Sequence, residues 1–299
     1  MSVFGYIRFS YFGRSDARLA RQTADDETRF RALYADRRME ERFYFFENLT
    51  LPSLRAQTDP DFQVLVLASN VMPDRYKARL ATAIADIPQV DVLYCDAAHV
   101  TDAINPAMGD MTAGIKENTV HFRLDDDDAI CCDMVARLRA RAPHAQPDEL
   151  ITYPNGFYLT HWDGAPHLVR KFEPYIAIGF AFVNRPGQIR NPYQCKHGSH
   201  YRLVPTSMDP RPYAYIHCAH PSSDTRDAQD RKFRNALKHD VHYGSERARN
   251  RIASTVQRRF PGFTLEGLEA LISNAPGVAG HMPAHAGRSM EEGVAALPR

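Results

Sequence analysis

The first half of the chain alternates short apolar runs with amphipathic stretches. The β-branched and aromatic content of 3–9 predicts a first strand, and 90–94 predicts a further one. The near-continuous apolar run at 62–68 is typical of a strand covered on both faces. Between them, apolar residues recur about every 3.6 positions over 38–50 and again after Pro73, which predicts helices facing a core. Pro52 predicts a break in the first helix or a new helical start. This alternation favours an α/β unit with a mostly parallel sheet.

A helix is predicted from about Ile130 to Arg141, and after it the second half of the chain follows a different pattern. Strand-like segments at 150–153, 157–162 and 167–172 are separated by the turn sequences Pro-Asn-Gly and Asp-Gly-Ala-Pro. An apolar run follows at 176–183, and YAYIHC could form a last strand. We therefore expect this half of the molecule to be antiparallel. Beyond YAYIHC, 227–240 and 246–258 have helical spacing with basic faces.

A run of acids connects the two halves. In TVHFRLDDDDAI, the apolar residues alternate with polar ones as in a strand, and the strand delivers the chain into Asp125–Asp128. Four carboxylates so close together are unfavourable unless a cation or strong donors compensate, and Mg²⁺ or Mn²⁺ suits such hard oxygen ligands. A solvated acidic turn capping the next helix is the alternative. Ligands of open parallel sheets bind beyond the carboxyl ends of strands, so Arg8, near the end of the first strand, is expected there too.

Composition narrows the classes of protein. With 299 residues, 44% hydrophobic residues and a net charge of +1, the chain can bury a large core and has no global attraction to nucleic acid. Its five cysteines lack C-x-x-C spacing, which favours a reducing cytoplasm. We find no secretory leader and no apolar run of about 18 residues, so we expect a cytoplasmic protein that does not span a membrane. The absence of G-x-G-x-x-G and P-loop patterns disfavours a Rossmann dehydrogenase or a P-loop kinase.

Two motifs carry a resemblance to a known family. RFYFFENLTLPSLRAQTDPDFQVLVLAS followed by FRLDDDDAI is similar to the bacterial rhamnosyltransferase family, in which R-x-x-x-F-E…L-P-S-L-x-x-Q-T and R-L-D-x-D-D recur. The chain also resembles the GT-A glycosyltransferases, whose D-x-D motif holds a divalent ion against a nucleotide-sugar diphosphate. The positions that match are Arg42, Phe46, Glu47, Pro52, Ser53, Gln57, Thr58, Arg123, Leu124, Asp125, Asp127 and Asp128. HCAHPSSDTR departs from the histidine and Asn-Ser-like segment expected near the end of the match.

The resemblance implies roles for the residues of the acidic segment and for two histidines. The nucleotide side would comprise Arg8, Arg123, Asp125 and Asp126, with Asp125 near the ribose. Mn²⁺ or Mg²⁺ would be held by Asp127 and Asp128, completed by His217 or His220, and we slightly favour His220. A shift of the motif to Asp126 and Asp128 stays open.

No general base identifies itself from sequence. Asp163 and Glu173 lie in the antiparallel half, where an acceptor would bind, and Asp209 or Asp224 are further options. Trp162 could stack on a sugar or plug the core. The basic segments 226–234 and 247–259 could contact a diphosphate, an anionic glycan or a membrane surface, or simply be solvated helix faces. Three motif residues are expected to serve mainly architecture: Arg42, Glu47 and Gln57.

The resemblance implies a metal-dependent glycosyltransferase moving a sugar from a nucleotide-sugar donor to a glycan or lipid-linked glycan acceptor, with peripheral membrane association as an option. The alternatives are a nucleotidyl or phosphoryl transferase, and a non-catalytic cation-binding module. The expected fold is α/β and GT-A-like, with an antiparallel acceptor-side portion and C-terminal helices. The expected divisions are a GT-A-like domain over 1–225, a helical extension over 226–273 and a disordered tail over 274–299.

Overall fold

A computed structural model describes residues 1–13, 25–146, 148–194, 202–220, 233, 237 and 244–276. The strands are β1 Val3–Arg8, β2 Gln63–Ser69, β3 Val90–Cys95, β4 Thr119–Asp125, β5 Ala129–Ile130, β6 Leu150–Thr152, β7 Asn155–Trp162, β8 Ala165–Phe172, β9 Ala181–Asn184, β10 Thr206–Met208 and β11 Tyr215–Ala219. The helices are α1 Asp26–Leu33, α2 Asp36–Phe45, α3 Leu51–Arg55, α4 Asp74–Ile84, α5 Val100–Thr112, α6 Met134–Arg141, α7 Glu246–Arg259 and α8 Leu265–Ser273.

The central sheet has seven strands in the order β10-β6-β9-β4-β1-β2-β3. Four of its six pairs of neighbouring strands are parallel, and β9 is antiparallel to both of its neighbours. In the pairing of β1 with β4, Arg8 lies opposite Asp125, so the two predicted ligand-facing residues share the carboxyl edge. The prediction of a mostly parallel α/β sheet is confirmed.

A second sheet has the order β5-β11-β7-β8. The β7–β8 hairpin and the β5–β11 pair are antiparallel, as expected for the second half of the chain. However, β11 runs parallel to β7, and β10 runs parallel to β6, so the expectation of an antiparallel half is only partly right. In both parallel pairs the strands are far apart in sequence, and turn signals between sequence neighbours do not reveal such pairings.

Helices cover both faces of the central sheet. Along β1, Val3 and Ile7 point into the main core, whereas Phe4 and Tyr6 point to the opposite face, where they pack with the buried residues of α5. The main core also receives the aromatic face of α2 and buried residues of α7 and α8. The expected flanking of the sheet by helices and the helices near the C-terminus are both confirmed.

Some predicted boundaries moved. The helix expected over 38–50 ends at Phe45, and a π-helical turn follows over Phe46–Thr50 before α3 begins with Pro52 in its first turn. Pro52 therefore marks a new helical start, because its missing N–H costs nothing in a first turn. The helix expected from about Ile130 begins only at Met134, since Ala129 and Ile130 pair with β11.

The C-terminal region is described in part. Helix α7 matches the predicted helical spacing, whereas most of the helix expected over 227–240 and the tail from 277 onward lie outside the described residues. Arg259 at the end of α7 contacts the Asp133 carboxylate, including an N–O distance of 2.8 Å, and so attaches this helix to the start of α6. No described helix combines the length and apolar character needed to cross a bilayer.

Close packing of β1 against β4 at Gly5 predicts that a side chain there lowers stability. A Cβ at this position would lie 2.5 Å from the Phe122 ring, which is completely buried. We expect Gly5→Ala to lower the free energy of unfolding by about 1–3 kcal/mol, because the ring has to leave its rotamer or the strands have to separate. The measurement is urea unfolding.

Gly109 in α5 supplies the matched control. A Cβ there meets only Ile189 Cδ1 at 3.5 Å, which is ordinary contact. Gly109→Ala should leave stability unchanged or raise it by about 0.5–1 kcal/mol, since alanine favours the helix. Equal effects of the two substitutions would contradict close packing of Phe122 over Gly5.

Candidate functional site

The four aspartates form a tight turn between β4 and β5. Asp125 is the last residue of β4, and the Asp128 N–H donates to the Asp125 carbonyl at 3.3 Å. The turn is held from the side of the π-helical turn and α3: the Thr50 hydroxyl donates to the Asp128 carbonyl at 2.8 Å, and the Ile130 N–H donates to Ser53 Oγ at 3.3 Å. The unusual helical turn thus supports the acidic segment directly.

Arg42 neutralises two of the four acids. Its Nη1 donates to Asp126 Oδ1 at 2.7 Å and to Asp127 Oδ2 at 3.1 Å. The side chains of Arg42, Asp126 and Asp127 are only 7%, 5% and 12% exposed, so the ion pairs are shielded from water. Contrary to the expectation of a mainly architectural role, Arg42 is therefore part of the acidic site. Its helix, α2, carries it on the face that packs towards β4 and β5.

His220 joins the same group from the other half of the chain. It follows β11, its Nε2 lies 2.9 Å from Asp127 Oδ2, and its Nδ1 lies 2.7 Å from Glu41 Oε1. The ring is fully buried and stacks on Phe45, with ring centroids 4.4 Å apart. A carboxylate on the second ring nitrogen fixes the orientation of the imidazole, as it does for many histidines that bind metals.

Asp128 is bound by the backbone of β11. Its Oδ1 accepts from the Cys218 N–H at 2.9 Å, which ties the turn to β11. Asp126, Asp127 and Asp128 with His220 and Arg42 thus form one buried cluster, which we call the aspartate cluster. It draws on residues from α2, the β4–β5 turn and the end of β11.

The aspartates of this cluster differ in their acidity. Burial raises the pKa of Asp126 to about 6 despite the opposing charge of Arg42. For Asp127 burial acts in the same direction, but Arg42 and the His220 hydrogen bond outweigh it and hold its pKa below the usual range. Burial and the neighbouring charges of Asp127 and Asp125 raise the pKa of Asp128 well above that of an ordinary carboxyl. Burial lowers the pKa of His220, yet the hydrogen bonds to Asp127 and Glu41 leave it raised.

The more accessible rim of the cluster is formed by Asp125 and Arg123. Arg123 binds Asp125 through two guanidinium nitrogens, at 2.9 and 3.1 Å, and Asp125 remains 28% exposed. The Arg123 guanidinium also lies 4.5 Å from the centre of the Tyr193 ring. With Arg8 opposite Asp125 in the sheet, this rim contains three of the four residues expected on the nucleotide side: Arg8, Arg123 and Asp125. The fourth, Asp126, is buried against Arg42.

His217 and Glu173 belong with Lys171 to a second polar group, which we call the Lys171 group. Lys171 Nζ lies 2.5 Å from His217 Nδ1 and 2.5 Å from Glu173 Oε2. Lys171 is itself 7% exposed and acts electrostatically on Asp128, so this group adjoins the aspartate cluster. The structure thus joins His217 to Lys171, whereas His220 is the histidine that contacts Asp127.

Other candidate bases lie apart from these contacts. Asp163 is exposed in the β7–β8 turn, with φ of 49°, and Gly164 follows with φ of 77°. Asp209 is paired with Arg211 at 2.7 Å, while Asp224 lies outside the described residues. Trp162 packs against Phe233, with ring centroids 5.0 Å apart, as in the core alternative.

Gln57 and Glu47, the other two residues expected to serve architecture, have contacts that support the fold. Gln57 donates to the Cys131 carbonyl at 2.9 Å and accepts from the Val135 N–H at 3.1 Å, which links α3 to the start of α6. Glu47 accepts two hydrogen bonds from Arg79 of α4. Both arrangements agree with the architectural role expected from sequence.

The donor set fits a divalent ion in part. Asp127 Oδ2 and His220 Nε2 are close enough to share an ion, and Glu41 orients the ring as a metal site requires. Within the described ranges, no three His, Cys, Asp or Glu side chains are arranged to enclose a metal. An ion held by these two ligands would take its other oxygens from substrate phosphates and water, which is common for Mg²⁺.

Sequence reasoning missed Glu41, Lys171 and Tyr193. Glu41 could have been noticed, because it and Arg42 interrupt the otherwise apolar face of α2 with adjacent opposite charges. Lys171 and Tyr193 lie in segments without motifs, and only the folded arrangement brings them to the site.

Comparison with protein families gives an independent result. A family model described as "Putative rhamnosyl transferase" matches residues 2–232. The chain belongs to this family. The matched region includes both motifs, the aspartate cluster and the Lys171 group. No curated protein matches the chain.

Two solved structures of S. aureus TarS are among its structural relatives. The longer TarS chain has a TM-score of 0.42 and 13% identity, with 89% of this chain and 44% of TarS covered. TarS 1-349 in complex with UDP-GlcNAc has a TM-score of 0.40 and 11% identity, with coverage of 86% and 72%. The chain therefore spans less than half the length of the longer TarS chain.

Arg42 predicts a pH-dependent effect on stability. Arg42→Met leaves two buried carboxylates without their guanidinium, so we expect a loss of about 3–5 kcal/mol in the free energy of unfolding at pH 7. The depressed pKa of Asp127 contributes stability above its unfolded value of about 3.9, and that contribution is lost as the pH falls towards its folded pKa. In the folded variant the two aspartates bind protons more tightly than in wild type. The difference in the free energy of unfolding between wild type and variant should therefore become smaller as the pH falls from 7 to about 4. Unfolding by urea at several pH values measures it.

Arg55→Met is the control for this experiment. Arg55 also pairs with a carboxylate, Asp86, but the two side chains are 37% and 65% exposed. Its loss should cost at most about 1 kcal/mol. A loss in Arg42→Met that is equally small, or independent of pH, would contradict the role of Arg42 in neutralising the cluster.

Proposed function

We propose that the protein transfers a sugar from a nucleotide-sugar donor to a hydroxyl group of a glycan or lipid-linked glycan, with Mn²⁺ or Mg²⁺ held by Asp127 and His220. The observation that carries this proposal is the convergence of Asp127 and His220 at the carboxyl edge of a mostly parallel sheet. Membership of the rhamnosyl transferase family supports the reaction class. Rhamnose as the sugar rests on the family description alone.

The accessible rim is suited to the donor nucleotide. Asp125 is exposed enough to accept hydrogen bonds from ribose hydroxyls, and Arg123 holds it in one orientation. Tyr193 is partly buried, and its ring lies against the Arg123 guanidinium that binds this carboxylate. Asp126 is then a support residue, because its carboxylate already binds Arg42.

Glycosyl transfer builds negative charge on the leaving diphosphate. A divalent ion, when bound, supplies positive charge against that diphosphate. The chain's own residues hold Asp127 ionised, because Arg42 and His220 keep its pKa low, and they place Lys171 beside Asp128. Asp128 organises the site through the Cys218 N–H, which connects the turn to the strand preceding His220.

The acceptor hydroxyl must lose its proton as its oxygen bonds to the anomeric carbon and the bond to the diphosphate breaks. Of the two base candidates, Glu173 is better placed, because Lys171 connects it to the group next to Asp128 and it is 39% exposed. Asp163 lies in an exposed hairpin turn instead. We therefore assign the role of general base, which accepts this proton, to Glu173. Lys171 keeps its carboxylate in position.

The metal requirement can be tested without knowing the donor. We expect Mn²⁺ to increase the protection of the protein against thermal unfolding by one member of a panel of uridine and thymidine diphosphate sugars, rhamnose included. Asp127→Asn should abolish the increase, because the substitution removes ligand charge. Asp86→Asn, at an exposed ion pair, is the control and should behave as wild type. Full protection and transfer in excess chelator would contradict the metal assignment.

Substitutions of His220 and His217 should differ in their effect on Mn²⁺ affinity. His220→Gln is expected to weaken Mn²⁺ binding by about 10–100-fold, as when a ligand or its support is removed, whereas His217→Gln should change it by less than about threefold. Isothermal titration with both variants and wild type measures this. A stronger effect of His217→Gln would move the ligand to the Lys171 group.

A further inference from the structure

A second polar concavity lies between α7 and the second sheet. It has a volume of about 760 Å³, and its lining includes Phe157 of β7, Arg170 of β8 and Tyr213 before β11. We call it the arginine groove, because Arg247, Arg251 and Arg258 of α7 line it together with Arg170. Glu246 is the one acidic residue in this lining, so the local charge is strongly positive in a protein whose net charge is only +1.

The arginines of α7 are placed there by helix geometry. The buried positions Ala248, Ile252 and Val256 recur every four residues and face the core. Arg247, Arg251 and Arg258 occupy a neighbouring stripe and are exposed. This stripe is separate from the structural cations of the same helix, because Arg259 binds Asp133 and Arg249 binds Glu269. The groove arginines are thus presented on a helix that other residues anchor.

The arginine groove and the Lys171 group are on different faces of the second sheet, and no lining residue of the groove belongs to the aspartate cluster. Arg170 lies opposite Phe157 in the β7–β8 hairpin, and both line the groove. The next residue, Lys171, contacts His217 and Glu173 instead. Because successive side chains of a strand point to opposite faces, the groove is separate from the Lys171 group.

The chemistry of the groove matches an acidic saccharide. Arginine forks bind carboxylate and phosphate oxygens in bidentate pairs. Tyr213 stacks on Phe157, with ring centroids 4.8 Å apart, and so presents a fixed aromatic surface, while Asn250, Ser254 and Thr255 add neutral hydrogen-bonding groups. Apolar ring surface beside hydroxyl-binding groups suits a sugar ring, and the arginines suit its charged substituents.

A lipid surface fits the same feature less well. A helix that lies in a membrane interface exposes large apolar side chains on the face that enters the lipid. The apolar residues of α7 are buried in the protein, and the arginines line a concavity instead of a projecting face.

We propose that the arginine groove binds an acidic oligosaccharide through carboxylate or phosphate groups, at a site separate from the aspartate cluster. The binding itself does not depend on the proposed glycosyl transfer. Identifying the bound chain as part of the acceptor does rest on that function, since the groove would then hold the anionic chain while its growing end reaches the donor.

Binding of tetragalacturonate by the full chain tests the proposal for carboxylate groups. The fully methyl-esterified tetramer is the uncharged control, and phosphorylated maltotetraose tests phosphate groups. We expect wild type to bind at least one acidic oligosaccharide and not the ester. Arg247→Gln/Arg251→Gln should weaken that binding by tenfold or more, while keeping the melting temperature, because glutamine is a good helix former. Arg31→Gln/Arg185→Gln removes the same charge from exposed positions elsewhere and should change affinity by less than about twofold.

A second variant separates a groove from a diffuse charged surface. Ser254→Phe keeps all arginines but fills part of the groove, so it should weaken oligosaccharide binding as strongly as the double variant. Equal losses in the two double variants, no effect of Ser254→Phe, or no binding of either acidic oligosaccharide would overturn the proposal. Tighter binding to phosphatidylglycerol vesicles than to oligosaccharide, insensitive to Ser254→Phe, would overturn it in favour of a membrane surface. Transfer activity measured in parallel keeps the two proposals distinct, because a wild-type protein that transfers sugar to a neutral acceptor but binds neither acidic oligosaccharide would reject only the groove.

Discussion

The site depends on one electrostatic constraint: buried carboxylates must be neutralised inside the protein. Burying a charge without a partner costs several kcal/mol, and the chain concentrates four acids at one strand end. Arg42 from α2, His220 after β11 and the Cys218 N–H provide the compensation, each from a different part of the fold. The positions of α2 and β11 relative to the central sheet are therefore fixed by the charge requirement as well as by apolar packing.

This constraint also determines what a ligand can find there. The Arg42 guanidinium is shared by Asp126 and Asp127 and lies closer to Asp126, while Asp128 accepts from the Cys218 N–H. Under the proposed function, Asp125 at the rim and the Asp127–His220 pair would face the diphosphate and its counter-ion. A motif of four identical residues is thus divided into different roles by its surroundings, and identical side chains acquire pKa values shifted in opposite directions.

Local patterns predicted much of the fold. The apolar runs of β1, β2 and β3 and the alternation of β4 placed the acids at a strand end, because those signals lie within a few residues of each other. The family resemblance favours His220 as a metal ligand; the structure places it 2.9 Å from Asp127, and its role as a ligand stays a prediction. The partners of the acids could not be predicted in this way. Arg42 and Asp126 are separated by 84 residues, and nothing in either segment alone specifies their pairing.

The topology also has a consequence for biosynthesis. Arg42 precedes the acids in the chain, so this cation is available as soon as Asp126 and Asp127 leave the ribosome. His220 follows Asp127 by 93 residues, which corresponds to about 5–20 s of synthesis at common elongation rates. For that interval the nascent chain contains Arg42 and the four aspartates but neither Cys218 nor His220. Folding of the site is therefore tied to completion of β11, and a ribosome that stalls in the second half leaves a partly compensated turn open to solvent.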